Sequence, residues 1–122
     1  MELKVIKGNF TICKIEDMSG INFESEYCFF ERTDEELSLI CKEEDVPQNV
    51  TIREDGWNCI RIQGILDFSL IGILSKILTV LAENKIGIAT ISTYNTDYVF
   101  TKKENFEKAL NVLEEAGYEI IK

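Results

Sequence analysis

The stretch GILDFSLIGILSKILTVLAENKIGIATISTYNTDYVF, residues 64–100, decides the fold. Leu70, Ile73, Leu74, Ile77, Leu78 and Leu81 recur at helical three-and-four spacing, so they share one face, and that face must be buried. Ser69 stands just before this repeat, where its hydroxyl can cap the first free amides. Asp67 adds negative charge near the positive end of the helix dipole. The helix runs to about residue 84. Before it, residues 57–63 read as a short apolar strand. After it, 86–93 and 97–101 are β-rich and joined by Tyr94-Asn95-Thr96, a polar turn. A second helix is expected over 103–116, with Phe106, Ala109, Leu110 and Leu113 on one face and Gly117 placed to end it in a left-handed cap. Residues 118–121 form a last strand. The order βαββαβ is that of the ferredoxin-like plait, an α+β fold.

The first half repeats this order in abbreviated form. Residues 9–16, 26–32, 37–42 and 50–53 have strand character, Glu43-Glu44-Asp45 starts a helical turn that Pro47 stops, and Asp55-Gly56 signals a turn before Trp57. At an offset of 60 residues FERTDEELSLICKEEDV (30–46) falls without gaps on TISTYNTDYVFTKKENF (90–106), so that Thr33 meets Thr93 and Lys42 meets Lys102. The chain therefore reads as two tandem plaits, a degenerate one over 1–56 and a complete one over 57–122. The first crossover of the first half is too short for a full helix. Only one-turn helices are expected there, and a sheet so thinly covered must rely on the other half or on another chain.

Composition narrows the function classes. With 122 residues and 45% hydrophobic content the chain can bury a core. Its net charge of −9, divided as −7 over residues 1–61 and −2 over the remainder, repels phosphate backbones and anionic lipid. Neither nucleic acid nor membrane is an expected partner. No run is long enough to span a bilayer and the first residues lack a signal peptide's apolar block, which places the chain in the cytoplasm. Cys13, Cys28, Cys41 and Cys59 contain no C-x-x-C pair and sit in apolar segments, as reduced thiols acting as small hydrophobes would. There is no histidine, no P-loop and no dinucleotide fingerprint, and no carboxylate spacing specifies a metal. The reading is a protein without catalytic residues, cofactor or metal.

What remains is the chemistry of binding. Amides at the start of the first helix can receive a carboxylate, and Asp67 can accept hydrogen bonds from an ammonium group; a free amino acid carries both. Asp67 and Ser69 could equally serve only as caps, and 93–97 only as a hairpin.

At these residues the sequence resembles ACT domains, small regulatory plaits that bind amino acids. It is most similar to short tandem proteins and to the domains of CASTOR-type arginine sensors. The likeness rests on residues 66–100, on Arg61-Ile62-Gln63-Gly64 and on RTDEELSLIC, residues 32–41. The Asp-x-Pro-Gly loop of many ACT domains is here Asp67-Phe68-Ser69-Leu70-Ile71-Gly72, without proline. The resemblance implies an antiparallel sheet ordered second, third, first, fourth strand, with both helices on one face. It also implies a ligand held at an interface between plaits by Gly64, Leu66, Asp67, Phe68, Ser69 and Leu70 of the loop and by Ile91, Ser92, Thr93, Tyr94 and Asn95 of the second strand, with Asp97 beside them. The expected protein is a non-enzymatic amino-acid-sensing module, a homodimer acting on a separate regulated protein. The alternative is an oligomerisation or protein-interaction domain that binds no ligand.

Overall fold

The computed structural model describes residues 1–65 and 71–122. Seven strands and two helices follow one another as β1 (Glu2–Ile15), β2 (Phe29–Arg32), β3 (Leu37–Lys42), β4 (Val50–Ile62), α1 (Ile73–Glu83), β5 (Ile88–Ser92), β6 (Asp97–Lys102), α2 (Lys103–Glu115) and β7 (Glu119–Ile121). A single 3-10 turn, Glu43–Asp45, lies between β3 and β4. The fold is mixed α+β; β1 with β3, β2 with β3 and β5 with β6 pair antiparallel, whereas β7 joins β1 in parallel. It divides into two units, Gly8–Trp57 and a larger one made of Met1–Lys7 with Asn58–Lys122. No described helix is long and apolar enough to cross a membrane.

In the larger unit α1 and α2 pack on each other and on the strands. Ile77 and Leu81 of α1 and Ala109, Leu110 and Leu113 of α2 are buried with Leu3, Ile60, Ile62 and Val99, while Ile73, Leu74, Leu78 and Phe106 flank this core. The periodic positions read from the sequence are thus the core positions; Leu70 lies outside the described residues. Each fully buried aliphatic side chain contributes about 1.5–3 kcal/mol of transfer free energy, and that is what holds the helices to the sheet.

Both helices end in the same way. At α2, Gly117 has φ +105°, and the amides of Gly117 and Tyr118 bond the carbonyls of Glu114 and Leu113 at 3.0 and 3.1 Å. At α1, the amides of Lys85 and Ile86 bond those of Ala82 and Leu81, both at 3.0 Å, which is the same Schellman pair. Here, however, the left-handed residue is a lysine, with φ +60°. Ile86 and Leu81, both buried, provide the apolar contact that accompanies this cap.

Three sequence expectations change. The residue flanking α1 is Gly72, at φ +82° and with no side-chain cap, so the helix begins later than expected, and Ser69 lies outside the described residues. The chain does not turn at Asp55-Gly56: β4 runs on through it, with Gly56 at φ +85° and its amide bonded to the Glu43 carboxylate at 2.8 Å. Finally, β7 does not lie against β4. The amide of Gln63, just past β4, bonds the carbonyl of Glu2 at 2.9 Å, so the start of β1 takes that place, and β7 pairs parallel to β1 as Glu2↔Glu119, Leu3↔Ile120 and Lys4↔Ile121. The physical reason is Leu3, wholly buried in the helix-covered core, with Val5 packed beside it.

The smaller unit orders its strands β2-β3-β1-β4. Its core is Cys13, Ile15, Ile21, Leu39 and Cys41. Among the described residues this unit contains no α-helix; the loop residues Ile21 and Val46, with Val50 at the start of β4, complete its core. Side chains fasten those loops. Asp17 accepts from the amide of Ser19 at 2.9 Å and from Asn49 Nδ2 at 3.0 Å, and the Ser25 hydroxyl donates to Asp45 at 3.0 Å.

Candidate functional site

Of the residues singled out from the sequence, Leu66, Asp67, Phe68, Ser69 and Leu70 lie outside the described residues. The others are described, and the larger unit gathers them at one end of β4, β5 and β6. Gly64 follows β4 with φ +108°, and a Cβ built there would meet nothing within 4 Å. Gly72 is alike in both respects, with φ +82°. Glycine costs nothing sterically at positive φ, so both are positions at which any other residue would be strained.

The other residues singled out lie in the hairpin between β5 and β6. Ile91 and Ser92 end β5, Thr93, Tyr94, Asn95 and Thr96 make the turn, and Asp97 opens β6 opposite Ser92. The turn closes with the amide of Thr93 bonding the carbonyl of Thr96 at 2.8 Å, while Thr93 Oγ1 donates to that carbonyl at 3.1 Å and accepts from the Thr96 amide at 3.3 Å. The Ser92 hydroxyl donates to the Asp97 carboxylate in a very short hydrogen bond. The structure therefore brings Ser92, Thr93 and Asp97 together and engages their polar groups within the hairpin. Tyr94 and Asn95 are left exposed at its tip.

The residue that the sequence reading passed over is Thr96. It is buried, and its hydroxyl donates to the carbonyl of Ile62 at 2.7 Å, two residues before Gly64. One side chain thus ties the hairpin turn to the end of β4. A hydroxyl in the last turn position before an apolar strand was the available signal, but it looks the same as an ordinary turn threonine. Arg61, also at the end of β4, reaches the Tyr98 hydroxyl at 3.4 Å and the Gln63 side chain at 3.2 Å, and its guanidinium lies 5.8 Å from the centre of the Tyr98 ring. Charge, hydroxyls and ring faces lie at this end, without any group of three or more Cys, Asp or Glu side chains suited to a metal among the described residues. The chemistry on offer is hydrogen bonding and ion pairing.

The turn at Thr33 has the same construction as that at Thr93. The Thr33 amide bonds the carbonyl of Glu36 at 3.0 Å, and Thr33 Oγ1 accepts from the amides of Glu35 and Glu36 at 3.1 and 3.2 Å. The strands that follow, β3 and β6, both have six residues, and both bury their third to fifth.

Comparison with known proteins adds three findings. The sequence profile of the ACT domain matches residues 52–115. No curated protein gives a significant match. Among solved structures, protein Atu0741 from Agrobacterium tumefaciens is similar with a TM-score of 0.85 at 29% identity, over 98% of this chain and 91% of that one. The regulatory subunit of aspartate kinase from Thermus thermophilus, in its ligand-free form, is similar in fold with a TM-score of 0.64 at 14% identity, over 96% and 98% of the two chains. The aspartate kinase of Clostridium acetobutylicum is similar with a TM-score of 0.66 at 18% identity, over 93% of this chain and 33% of that one.

Proposed function

Because the chain belongs to the ACT domain family, whose members are regulatory modules that bind small molecules, we propose that it senses a free amino acid and does no chemistry on it. The carrying observation is the start of α1, which follows the positive-φ Gly72 and whose first turn has neither a side-chain cap nor an acidic residue. Such a helix start presents free amides and a partial positive charge, to which a carboxylate is attracted. Asp67, before that helix, provides the opposite charge for the ammonium group. The hairpin of Ile91, Ser92, Thr93, Tyr94 and Asn95, with Asp97 behind it, forms the other wall.

Ile65, Ile71 and Tyr94 support a site completed by a second copy, since they are 78%, 92% and 81% exposed around the loop and the hairpin tip. Large apolar side chains left this open are the raw material of an interaction surface. The working unit on this reading is a homodimer in which loop and hairpin meet a plait of the partner copy. On this reading the two units correspond to a degenerate and a complete plait, similar to CASTOR-type sensor domains, with the first seven residues joining the complete one. Four free thiols fit a reducing compartment, the cytoplasm. A separate protein receives the signal.

The test is a thermal-shift screen of the purified protein against the twenty amino acids at millimolar concentration, with calorimetry on any hit. A ligand at a hundred times its dissociation constant adds about 2.7 kcal/mol, a rise of several degrees in Tm. Asp67→Ala should weaken that ligand at least tenfold. A flat screen, with a defined protein partner recovered instead, would replace this reading by that of a ligand-free interaction domain.

A further inference from the structure

We propose that the smaller unit docks a Lys/Arg-rich segment of another protein on the surface made by residues 16–28 and 43–49, with Phe23 and Met18 as its apolar anchors. The division of charge points there. Gly8–Trp57 holds four Lys/Arg against thirteen Asp/Glu, whereas the larger unit holds nine of each, so the whole net charge of −9 belongs to the smaller unit. Within it, the connections 16–28 and 43–49 carry seven carboxylates and no lysine or arginine, so their charge is of one sign. Neutral donors hold these carboxylates. Asp17 takes the Ser19 amide at 2.9 Å and Asn49 Nδ2 at 3.0 Å, Asp45 the Ser25 hydroxyl at 3.0 Å, and Glu43 the Gly56 amide at 2.8 Å. A neutral donor fixes a carboxylate and leaves its charge in place. Glu16, Glu24, Glu26 and Glu44 are exposed and make no ion pair among the described residues. Arg32, of β2, sets its guanidinium on the Met18 sulfur at 3.3 Å and not on a carboxylate.

Charge alone does not make a docking surface, since Asp34-Glu35-Glu36, in the turn between β2 and β3, is as acidic. The distinguishing feature is apolar. Phe23 is 61% and Met18 43% exposed, although Ile21 between them is buried in the core of the unit. The backbone that carries them is fastened. The amide of Ile21 bonds the Met18 carbonyl at 3.3 Å, the amide of Glu24 bonds Asn22 Oδ1 at 3.1 Å, and Gly20 packs so near Pro47 that a Cβ would lie 2.9 Å from that ring. Anchored at Ile21 and bonded on both sides of it, the segment holds Phe23 and Met18 in the open. A fixed aromatic ring and a thioether set among carboxylates fit a partner whose apolar residues are interleaved with lysine or arginine. A small polycation would leave the ring uncovered, and nucleic acid and anionic lipid are repelled. The surface is complete with no amino acid bound, so this inference stands apart from the sensing reading.

The experiment titrates the isotope-labelled full chain, with no amino acid present, with a short amphipathic peptide of lysine and leucine, and follows the amides by NMR. The controls are the same peptide with glutamate for lysine, the same peptide with serine for leucine, and spermine. Saturable shifts are expected in 16–28 and 43–49, at least tenfold weaker with each control and weakened by added salt. Phe23→Ser, and Glu24→Gln combined with Glu26→Gln, all at exposed positions, should each lower the affinity about tenfold with the rest of the spectrum unchanged. Asp34→Asn combined with Glu35→Gln removes as much charge from the other acidic turn and should change the affinity by less than about twofold. Spermine or the serine peptide binding as tightly as the leucine peptide would mean an acidic surface that only collects cations, and would overturn the proposal. So would equal losses from the two double substitutions, indifference to Phe23→Ser, or no saturable shift.

Discussion

Replacing Lys85 by glycine should make the protein more stable, although the change removes a whole side chain. Lys85 occupies the left-handed position after α1 at φ +60°, where its Cβ crowds the following carbonyl at a cost of about 1–2 kcal/mol. Glycine escapes that cost but gives back about 0.5–1 kcal/mol through the greater freedom of its unfolded chain. Loss of a cation near the negative end of the helix takes about 0.3 kcal/mol more. The balance is a gain of about 0.5 kcal/mol, or roughly 2 °C in Tm for a domain of this size. Urea unfolding should show the midpoint rising by a few tenths molar with an unchanged m-value. Gly117 provides the matched control, because it holds the same cap position after α2 at φ +105° and a Cβ there would touch nothing within 4 Å. Gly117→Lys should therefore lose about 1 kcal/mol through the backbone alone. A Lys85→Gly protein less stable than the parent, beside a Gly117→Lys protein of parental stability, would refute the reasoning.

Thr96→Val keeps the shape of the side chain but leaves the Ile62 carbonyl without its 2.7 Å partner, and should cost about 1–2 kcal/mol in chemical denaturation. Gly20→Ala would place a Cβ 2.9 Å from Cβ of Pro47, a ring that cannot swing aside, so a loss of about 1–3 kcal/mol is expected and a neutral result would be inconsistent with this packing. The Ser19 hydroxyl, then its amide, and Asn49 hold the Asp17 carboxyl below its ordinary value of 3.8. A lowered carboxylate pKa means stability that is present above that ordinary value and lost as pH falls through the lowered one, so Asp17→Asn should flatten the acid limb of a Tm-against-pH curve. Burial pushes the Cys59 thiol well up, and the thiol is almost wholly enclosed. A thiol-reactive disulfide at pH 8 should therefore label the half-buried Cys28 in the folded protein and reach Cys59 only on unfolding.

The helices were legible in the sequence because each buries one face, and the burial leaves a period of 3.6 in the residues; β3, β5 and β6 were legible as short β-rich runs bounded by polar turns, β3 and β6 each burying three consecutive residues. The turns at 33–36 and 93–96 were legible from their polar residues. The start of β1 was not, since Leu3, Val5 and Ile6 look unremarkable until β4 and the two helices are in place to bury Leu3. Nor was the straight run of β4 through Asp55-Gly56: the pair has turn chemistry, but the Glu43 carboxylate takes up the amide of Gly56 and the strand continues. Ser69 was matched to a helix start that the chain delays to Gly72. In each case a contact distant in sequence outweighed a local preference.

The first seven residues belong with the larger unit, whereas the fifty that follow form the smaller one. On the ribosome, β1 therefore emerges long before its partners. Leu3 must wait for Ile120, more than a hundred residues later, which at about 5–20 residues per second is roughly ten seconds. During that interval the nascent chain carries an unpaired apolar segment, Leu3-Lys4-Val5-Ile6, ahead of a small unit whose own strands are already available. A copy of this chain cut after residue 57 would keep that segment unpaired for good, and a copy beginning at residue 58 would lack the strand that β7 pairs with. The smaller unit is one continuous run, whereas the larger is assembled from both sides of it, so no single uninterrupted piece of the sequence contains the larger unit without the smaller.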